Sequence, residues 1–452
     1  MFLLTNKKLK QNFYRIVCQK GKCERKTMQN VIKRFCSASA SPLRSTLCIV
    51  GPNASKVVRK LIPDVNVPQV ISEGPQAQKE NLQARKIKDI ELCGMTVDNI
   101  HSSLKTYQEA SEKMANIVKE RELATQEYKE LPYDVTFDKM KAIKILYKEQ
   151  QKKLWEAEEN AFVPYLKLPN LLDLSVPKED TEIFNNEMSE GNATNIDSDE
   201  VMTNELSNLF LKGNIALEEL ELLRKAQHFL ADSDFEIIAP PDIVKNHILE
   251  GFDPKAFEDP SPYFNLAKSS DFGHVSSGLG AHLAGSASTL AMLTYFVKNI
   301  LQNPSVLPLK YYSIGRKYWP MESQAPRLAN SEQSSAAGLL ALNSSTEQLD
   351  STFDEIIQDL KRFYDDVGIS YRLVSMSAEK LNLAESLRIE LQMWSSSKND
   401  FIKVAELSKH SEYLSKRLAL KYNESSELCN LHIISGTFVD VYKVLSCKYK
   451  MS

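Results

Sequence analysis

Three groups of residues in this 452-residue sequence have types and spacings that could do chemistry. The first is a glycine cluster. Gly278-Leu279-Gly280 opens like a dinucleotide-binding turn, but Leu283 stands where the third glycine is needed. Gly280 and Gly285 have P-loop spacing, yet Ser286 replaces the lysine and Ala287 the metal-binding hydroxyl, so a β/γ-phosphate would lack a counter-ion. Both patterns read as turns. The second group is the cysteines at 18, 23, 36, 48, 93, 429 and 447. Cys18 and Cys23 have no second Cys/His pair at finger spacing, and the set suits a reducing compartment better than a disulfide framework. The third is a run of lysines, Lys139, Lys141, Lys144 and Lys148, with Lys105, Lys113, Lys119, Arg121, Lys152 and Lys153 nearby. They could meet RNA phosphates, although a solvated helix face has the same composition.

The elements that would carry these residues follow from periodicity. Residues 76–165 read as an antiparallel helical hairpin. Ile100, Leu104, Tyr107, Ser111, Met114, Val118, Arg121, Thr125 and Tyr128 form one heptad seam. Met140, Ile143, Tyr147, Gln150, Leu154, Ala157 and Ala161 form the other, after a break at Leu131-Pro132. Residues 173–205 hold ten acidic residues against the single Lys178 and predict a flexible acidic linker. From 206 to 452 the pattern is α+β. Helices are expected at 214–232, 346–367 and 378–394, and strands at 235–239, 311–318, 338–342, 401–406 and 416–422. A strand-to-helix passage should close the chain at 431–448. Successive strands without regular crossover helices favour an antiparallel sheet flanked by helices. Residues 272–297 lack formal charge, but their histidines, hydroxyls and glycines point to a buried strand-turn-helix rather than a membrane span.

Composition adds an asymmetry. Apolar residues make up 42% and charged residues 25%, which excludes fibrous and wholly disordered classes. The net charge of -3 conceals a head, residues 1–60, with fourteen Lys/Arg against the lone acidic Glu24, so +13 there and -16 elsewhere. Near-absence of acid with scattered apolar residues predicts a mitochondrial transit peptide over residues 1–40, followed by a linker segment over 41–75 and delivery to the matrix. A basic tail for nucleic acid is the alternative.

The order of features then matters more than any one of them. The hairpin, Leu168-Pro169-Asn170, residues 211–218, Phe235 to Val244, residues 283–287, Tyr311 to Arg316, Lys416 to Tyr422 and His432 to Thr437 follow one another in a way that resembles a seryl-tRNA synthetase over residues 76–445. The resemblance implies a tRNA-binding arm and a class II synthetase domain whose motif 1 region, near 206–245, forms a dimer interface. It also places the family's site residues. The acid of Thr-x-Glu, which binds the seryl amino group, falls at Ser288. The α-phosphate arginine falls at Arg316, with Tyr318 in place of its acidic partner. Only Gln333 remains of Arg-x-His-Gln-Phe. A metal-ligating acid falls at Gly338, the serine-pocket asparagine at Lys409, and the motif 3 arginine at Lys443. Arg316 would equally serve as a structural ion pair, and Gln333 as a core hydrogen-bonder.

Because synthetase catalysis is largely positioning and charge neutralisation around ATP, these departures imply a protein without serylation activity, cofactor or metal. The chain resembles the seryl-tRNA synthetase-like mitochondrial proteins of insects, which implies heterodimerisation with the authentic mitochondrial seryl-tRNA synthetase. Three readings stay open beside it: a divergent active serine-tRNA ligase, a binder of mitochondrial RNA or tRNA through the arm, and a structural homodimer.

Overall fold

The computed structural model describes residues 45–49, 51, 61–130, 133–187, 194–196, 200–203, 209–257, 261–266, 280–321 and 328–451. The expected transit peptide, the Leu131-Pro132 break and the Gly278-Leu279 pair lie outside the described residues.

The arm is two long antiparallel helices, α1 (Val97–Glu130) and α2 (Tyr133–Tyr165). Its seams hold because each apolar stripe covers the other. Ile100, Leu104, Met114, Ile143 and Ala161 are buried, and Tyr107 meets Phe162 edge to face at 4.8 Å. Gln150 donates to the Ala110 carbonyl across the pair. Near the tip the expected seam shifts. Ala124 is buried while Thr125 faces out and turns its hydroxyl onto the Arg121 carbonyl. Three short helices, Val67–Glu73, Gln76–Ala84 and Asp89–Cys93, precede the hairpin and pack on its root. Part of the expected 41–75 linker segment is therefore helical.

The body is an eight-stranded sheet. In chain order its strands are β1 (Thr181–Asn186), β2 (Glu236–Ile237), β3 (Leu309–Tyr318), β4 (Gln333–Asn343), β5 (Tyr371–Ser375), β6 (Leu387–Ser395), β7 (Asp400–Ser411) and β8 (His432–Asp440). In space they run β1-β5-β6-β7-β8-β4-β3-β2, antiparallel throughout except for β3 with β2. The α+β architecture expected from the sequence is the one observed.

Side chains alternate faces along each strand, and that alternation divides the chemistry. On one face Tyr312, Ile314, Ala337, Leu339, Leu407 and Phe438 meet α3 (Gly213–Asp232), α6 (Thr346–Asp365) and α8 (Val441–Lys448). Helix α6 shows why: Ser345 caps it by accepting from the Gln348 amide, and Leu349, Phe353, Ile356, Leu360 and Phe363 form a buried stripe. On the other face Tyr311, Leu340, Leu342 and Ile433 meet α4 (Asn246–Phe252), α5 (Thr289–Phe296) and α7 (Tyr413–Leu418). The open part of this second face is the cleft.

Three expectations need correction. The 173–205 stretch contributes β1 to the sheet edge. Three of its acids have partners in the body: Asp173 pairs with Lys409, Asp180 with Lys380, and Glu182 with Arg372. Residues 378–394 are one 3-10 turn, Ala378–Lys380, and then strand from Leu387 onward. The alternation of Leu387, Ile389, Leu391 and Met393, which all face the core, prevails over a helix-friendly composition. Residues 416–422 are not one strand. Helix α7 ends at Leu418, Ala419 turns left-handed at φ 55°, and a short strand, Lys421–Glu424, follows. The 272–297 stretch gives Ala281–Leu283 as strand and α5 as helix. Among the described residues no helix is long and apolar enough to cross a membrane.

Candidate active-site cleft

Two adjoining cavities, of about 280 and 200 Å³, open on the second face and share Lys317, Trp319 and Glu406. Strand alternation brings these residues together. Lys317 follows Leu309, Tyr311, Ser313 and Gly315 on the odd-numbered face of β3, and Glu406, Ser408 and His410 share one face of β7.

The larger cavity is lined by Lys317, Trp319, Lys403, Glu406, Thr437, Asp440 and Lys443. Its charges answer one another. Lys317 donates to the Thr437 hydroxyl at 2.6 Å and stands 4.0 Å from Glu406. Lys403 reaches Glu406 at 2.7 Å and Glu390 at 3.7 Å. Lys443 pairs with Asp440 at 3.1 Å and lies 5.5 Å from the centre of the Trp319 ring. Burial alone would raise the Glu406 carboxyl, but Lys403 and Lys317 hold it far below the carboxylate range. Burial lowers Lys317 against the opposing pull of Glu406 and Asp440, whereas Glu406 raises Lys403.

The smaller cavity has Phe252, Tyr263, Tyr318 and Trp319 as aromatic walls and Glu385, Ser408, His410 and Ser435 as polar ones. Glu385 is saturated: it accepts from the Asn382 amide at 2.7 Å, Ser408 at 2.8 Å and Arg388 at 3.1 Å. His410 lies between the Ala384 carbonyl at Nδ1 and Ser435 at Nε2, and burial lowers its pKa. A carbonyl can only accept, so Nδ1 carries the proton and Nε2 receives one from Ser435.

Of the residues singled out in the sequence, Lys443, Ser288 and Tyr318 reach these cavities. The Ser288 hydroxyl caps α5, accepting from the Ala291 amide and donating to the Gly285 carbonyl at 2.7 Å. Arg316 does not reach the cleft. It sits on the opposite face, 3.2 Å from Glu219 of α3 and 2.8 Å from the Tyr442 hydroxyl. Lys409 likewise faces away, pairing with Asp350 and Asp173 and lying 4.9 Å from the centre of the Phe353 ring. Gln333 lines a separate cavity of about 310 Å³ with Leu209, Phe264 and Glu332. Lys141, Lys144 and Lys148 form an exposed stripe on α2, and Lys139 is exposed beside them. The sequence reading missed Lys317, Trp319, Lys403, Glu385, Glu406 and His410. Strand alternation was the signal that could have found them.

A synthetase-like metal does not fit these residues. Gly338 offers no donor, and a Cβ there would lie 2.2 Å from the Ala287 carbonyl oxygen. Among the described residues no cluster of three or more His, Cys, Asp or Glu is placed to hold an ion.

Residues 285–450, which include β3, β4, β7, β8 and nearly all the cleft, match the model for the tRNA synthetase class II core domain (G, H, P, S and T). Over that stretch the chain is similar to a class II tRNA synthetase core. It is a homologue of the Drosophila melanogaster serine--tRNA synthetase-like protein Slimp, with 24% identity over 91% of this chain and 90% of that one. The cytoplasmic serine--tRNA ligase of Danio rerio is 19% identical over 52% of this chain and 47% of its own length. The synthetase core also explains the fold. The seryl-tRNA synthetase of Pyrococcus horikoshii, solved with ATP, superposes with a TM-score of 0.72 at 16% identity, covering 84% of this chain and 92% of that one. The cytoplasmic serine-tRNA ligase of Naegleria fowleri, solved with AMP, gives 0.66 at 18% identity, covering 83% and 89%.

Proposed function

We propose that the chain is a non-catalytic seryl-tRNA synthetase paralogue of the mitochondrial matrix. In this reading it forms a heterodimer with the active mitochondrial seryl-tRNA synthetase and supports mitochondrial translation and protein homeostasis. The observation that carries the loss of catalysis is the closed set of ion pairs in the cleft: Lys317 and Lys403 on Glu406, and Lys443 on Asp440. Cations that would neutralise phosphates are already neutralised, and Glu385 is already saturated. A synthetase must offer such groups, preorganised, to the charge of its transition state. Heterodimerisation is supported by α3, in the region that resembles motif 1, where Leu217 and Leu220 are 65% and 63% exposed.

Serine-dependent exchange of pyrophosphate into ATP by the purified protein tests the first half. No exchange above the blank is expected, and serine-dependent exchange would return the chain to the active ligases. Affinity capture from mitochondria tests the second half, with the mitochondrial seryl-tRNA synthetase expected in the eluate. A chain that elutes alone as a homodimer when mixed with that enzyme would sink the heterodimer.

One observation favours a second reading, an RNA-binding arm. Lys141, Lys144 and Lys148 are spaced to share one exposed face of α2. Reversing all three to Glu should then abolish retention of mitochondrial RNA without unfolding the arm, and unchanged retention would remove this reading.

A further inference from the structure

Glu250, near the C-terminal end of α4, is a carboxylate in a residue only 9% exposed. Every hydrogen bond described to its side chain comes from one short segment far away in sequence: the Ser45 hydroxyl, the Thr46 amide at 2.6 Å and the Thr46 hydroxyl. A buried carboxylate deprived of its donors is costly, so this site is built to receive that segment. The next residue, Leu47, is 1% exposed and belongs to the apolar cluster that includes Leu249 of α4 and Leu166 at the foot of the arm. Cys48 then approaches the arm itself. Tyr107 of α1 has its hydroxyl pKa raised by burial, by Glu158 and by the nearby Cys48.

The receiving helix is a junction. The Arg417 guanidinium donates to the carbonyls of Glu250 and Gly251, each at 2.8 Å, and also to the Leu166 carbonyl. Phe252, the last residue of α4, is a wall of the smaller cavity in the cleft. A segment seated on Glu250 therefore bears on the arm root through Arg417 and Leu47, and on the cleft through Phe252.

We propose that residues 45–48 are a strap, that the Glu250 carboxylate is its seat, and that the seated strap fixes α4 against the arm root. A chain that begins at Ser45 keeps the strap's contacts with Glu250, and a cut beyond Thr46 removes them.

Hydrogen exchange on the full chain tests this, comparing Glu250→Gln, the pair Ser45→Ala with Thr46→Val, and the three substitutions together. Each of the first two should speed exchange across Asn246–Phe252 and residues 165–167 by about tenfold or more, the range expected for hydrogen bonds to a charged group. The triple variant should exchange no faster than Glu250→Gln, because the pair removes two of the three donors to that same carboxylate. A chain beginning at Ser45 should keep full protection, and one beginning at Ile49 should match Glu250→Gln. Additive effects in the triple variant, or faster exchange confined to residues 45–48, would overturn the strap. If Glu250→Gln fails to fold, the Ser45/Thr46 pair and the two truncations decide by the same criteria.

Discussion

At the scale of single residues, the side chain on which the cleft turns is Glu406. It is the shared counter-ion of Lys317 and Lys403, and nothing else described in the larger cavity replaces it for both. Substitution Glu406→Gln removes the shared partner of two half-buried ammoniums, leaving Lys403 with Glu390 and Lys317 with the Thr437 hydroxyl. Because the pair is partly open to solvent and Lys403 keeps Glu390, a loss of about 1–3 kcal/mol is expected from denaturant unfolding. The pH dependence has a definite sign. The folded pKa of Glu406 lies well below its ordinary value of 4.5, so its stabilisation is complete above pH 4.5 and is lost as pH falls toward the folded value. Between about pH 5 and pH 2 the Gln variant should therefore lose less stability than the parent. An identical acid limb in the two proteins would mean that the pair contributes nothing. Arg316 makes the contrasting case. Its removal exposes the Glu219 carboxylate and frees the Tyr442 hydroxyl on the helical face, at a cost of about 1–3 kcal/mol, while leaving the cleft charges where they are.

At the scale of elements, the arm is held to the body by buried backbone-capping side chains rather than by apolar packing alone. Arg85, 2% exposed, donates to the carbonyls of Asn170, Asn382 and Glu385, and Asn170 donates in turn to those of Ala384 and His410. Burial lowers the Arg85 pKa to about 10, with Glu385 and Tyr413 opposing, so the group stays charged through the physiological range. Arg85→Met should strand several buried acceptors and cost about 3 kcal/mol or more. Faster hydrogen exchange should appear first in residues 381–386, of which Asn382 and Glu385 also wall the smaller cavity. This scale also shows what the sequence could and could not disclose. The seams of α1 and α2, the β3 and β4 strands and the strand-to-helix end of the chain were legible because their periodicity is local. The occupants of the cleft were not. A motif match identifies a neighbourhood, but in a strand one residue decides the face. Arg316 and Lys317 are neighbours in the motif, yet one joins α3 and α8 while the other enters the cleft. Lys409 and Ser408 divide in the same way. The acidic 173–205 stretch misled for a related reason: its partners Lys380, Lys409 and Arg372 are some two hundred residues away.

At the scale of the whole molecule, the charge split of the sequence bears on what the body can bind. Outside the +13 head the chain carries -16, which opposes general attraction to nucleic acid and leaves the α2 stripe as a local exception. A body with that charge, a cleft whose ions are mutually paired, and a helix displaying two-thirds-exposed leucines is better arranged to meet a protein than a polyanion. Leu217 and Leu220 lie on the outer side of α3, whose buried side carries Ile215, Glu219, Ala226 and Leu230. Replacing both leucines with Lys should therefore leave the fold nearly untouched, within about 0.5 kcal/mol for exposed positions away from special features. If the chain pairs with the mitochondrial seryl-tRNA synthetase through α3 as proposed, the same change should abolish their co-elution, because a charge at the centre of an apolar contact must be desolvated without a partner. Glu219 makes the outcome informative beyond assembly. It lies in the same helical turn as the leucines and ties α3 to Arg316 on β3. If Leu217→Lys with Leu220→Lys breaks the pairing while Glu219→Gln leaves it whole, the partner reads the surface of α3 alone. If both break it, the pairing depends on how Glu219 and Arg316 hold α3 against the sheet.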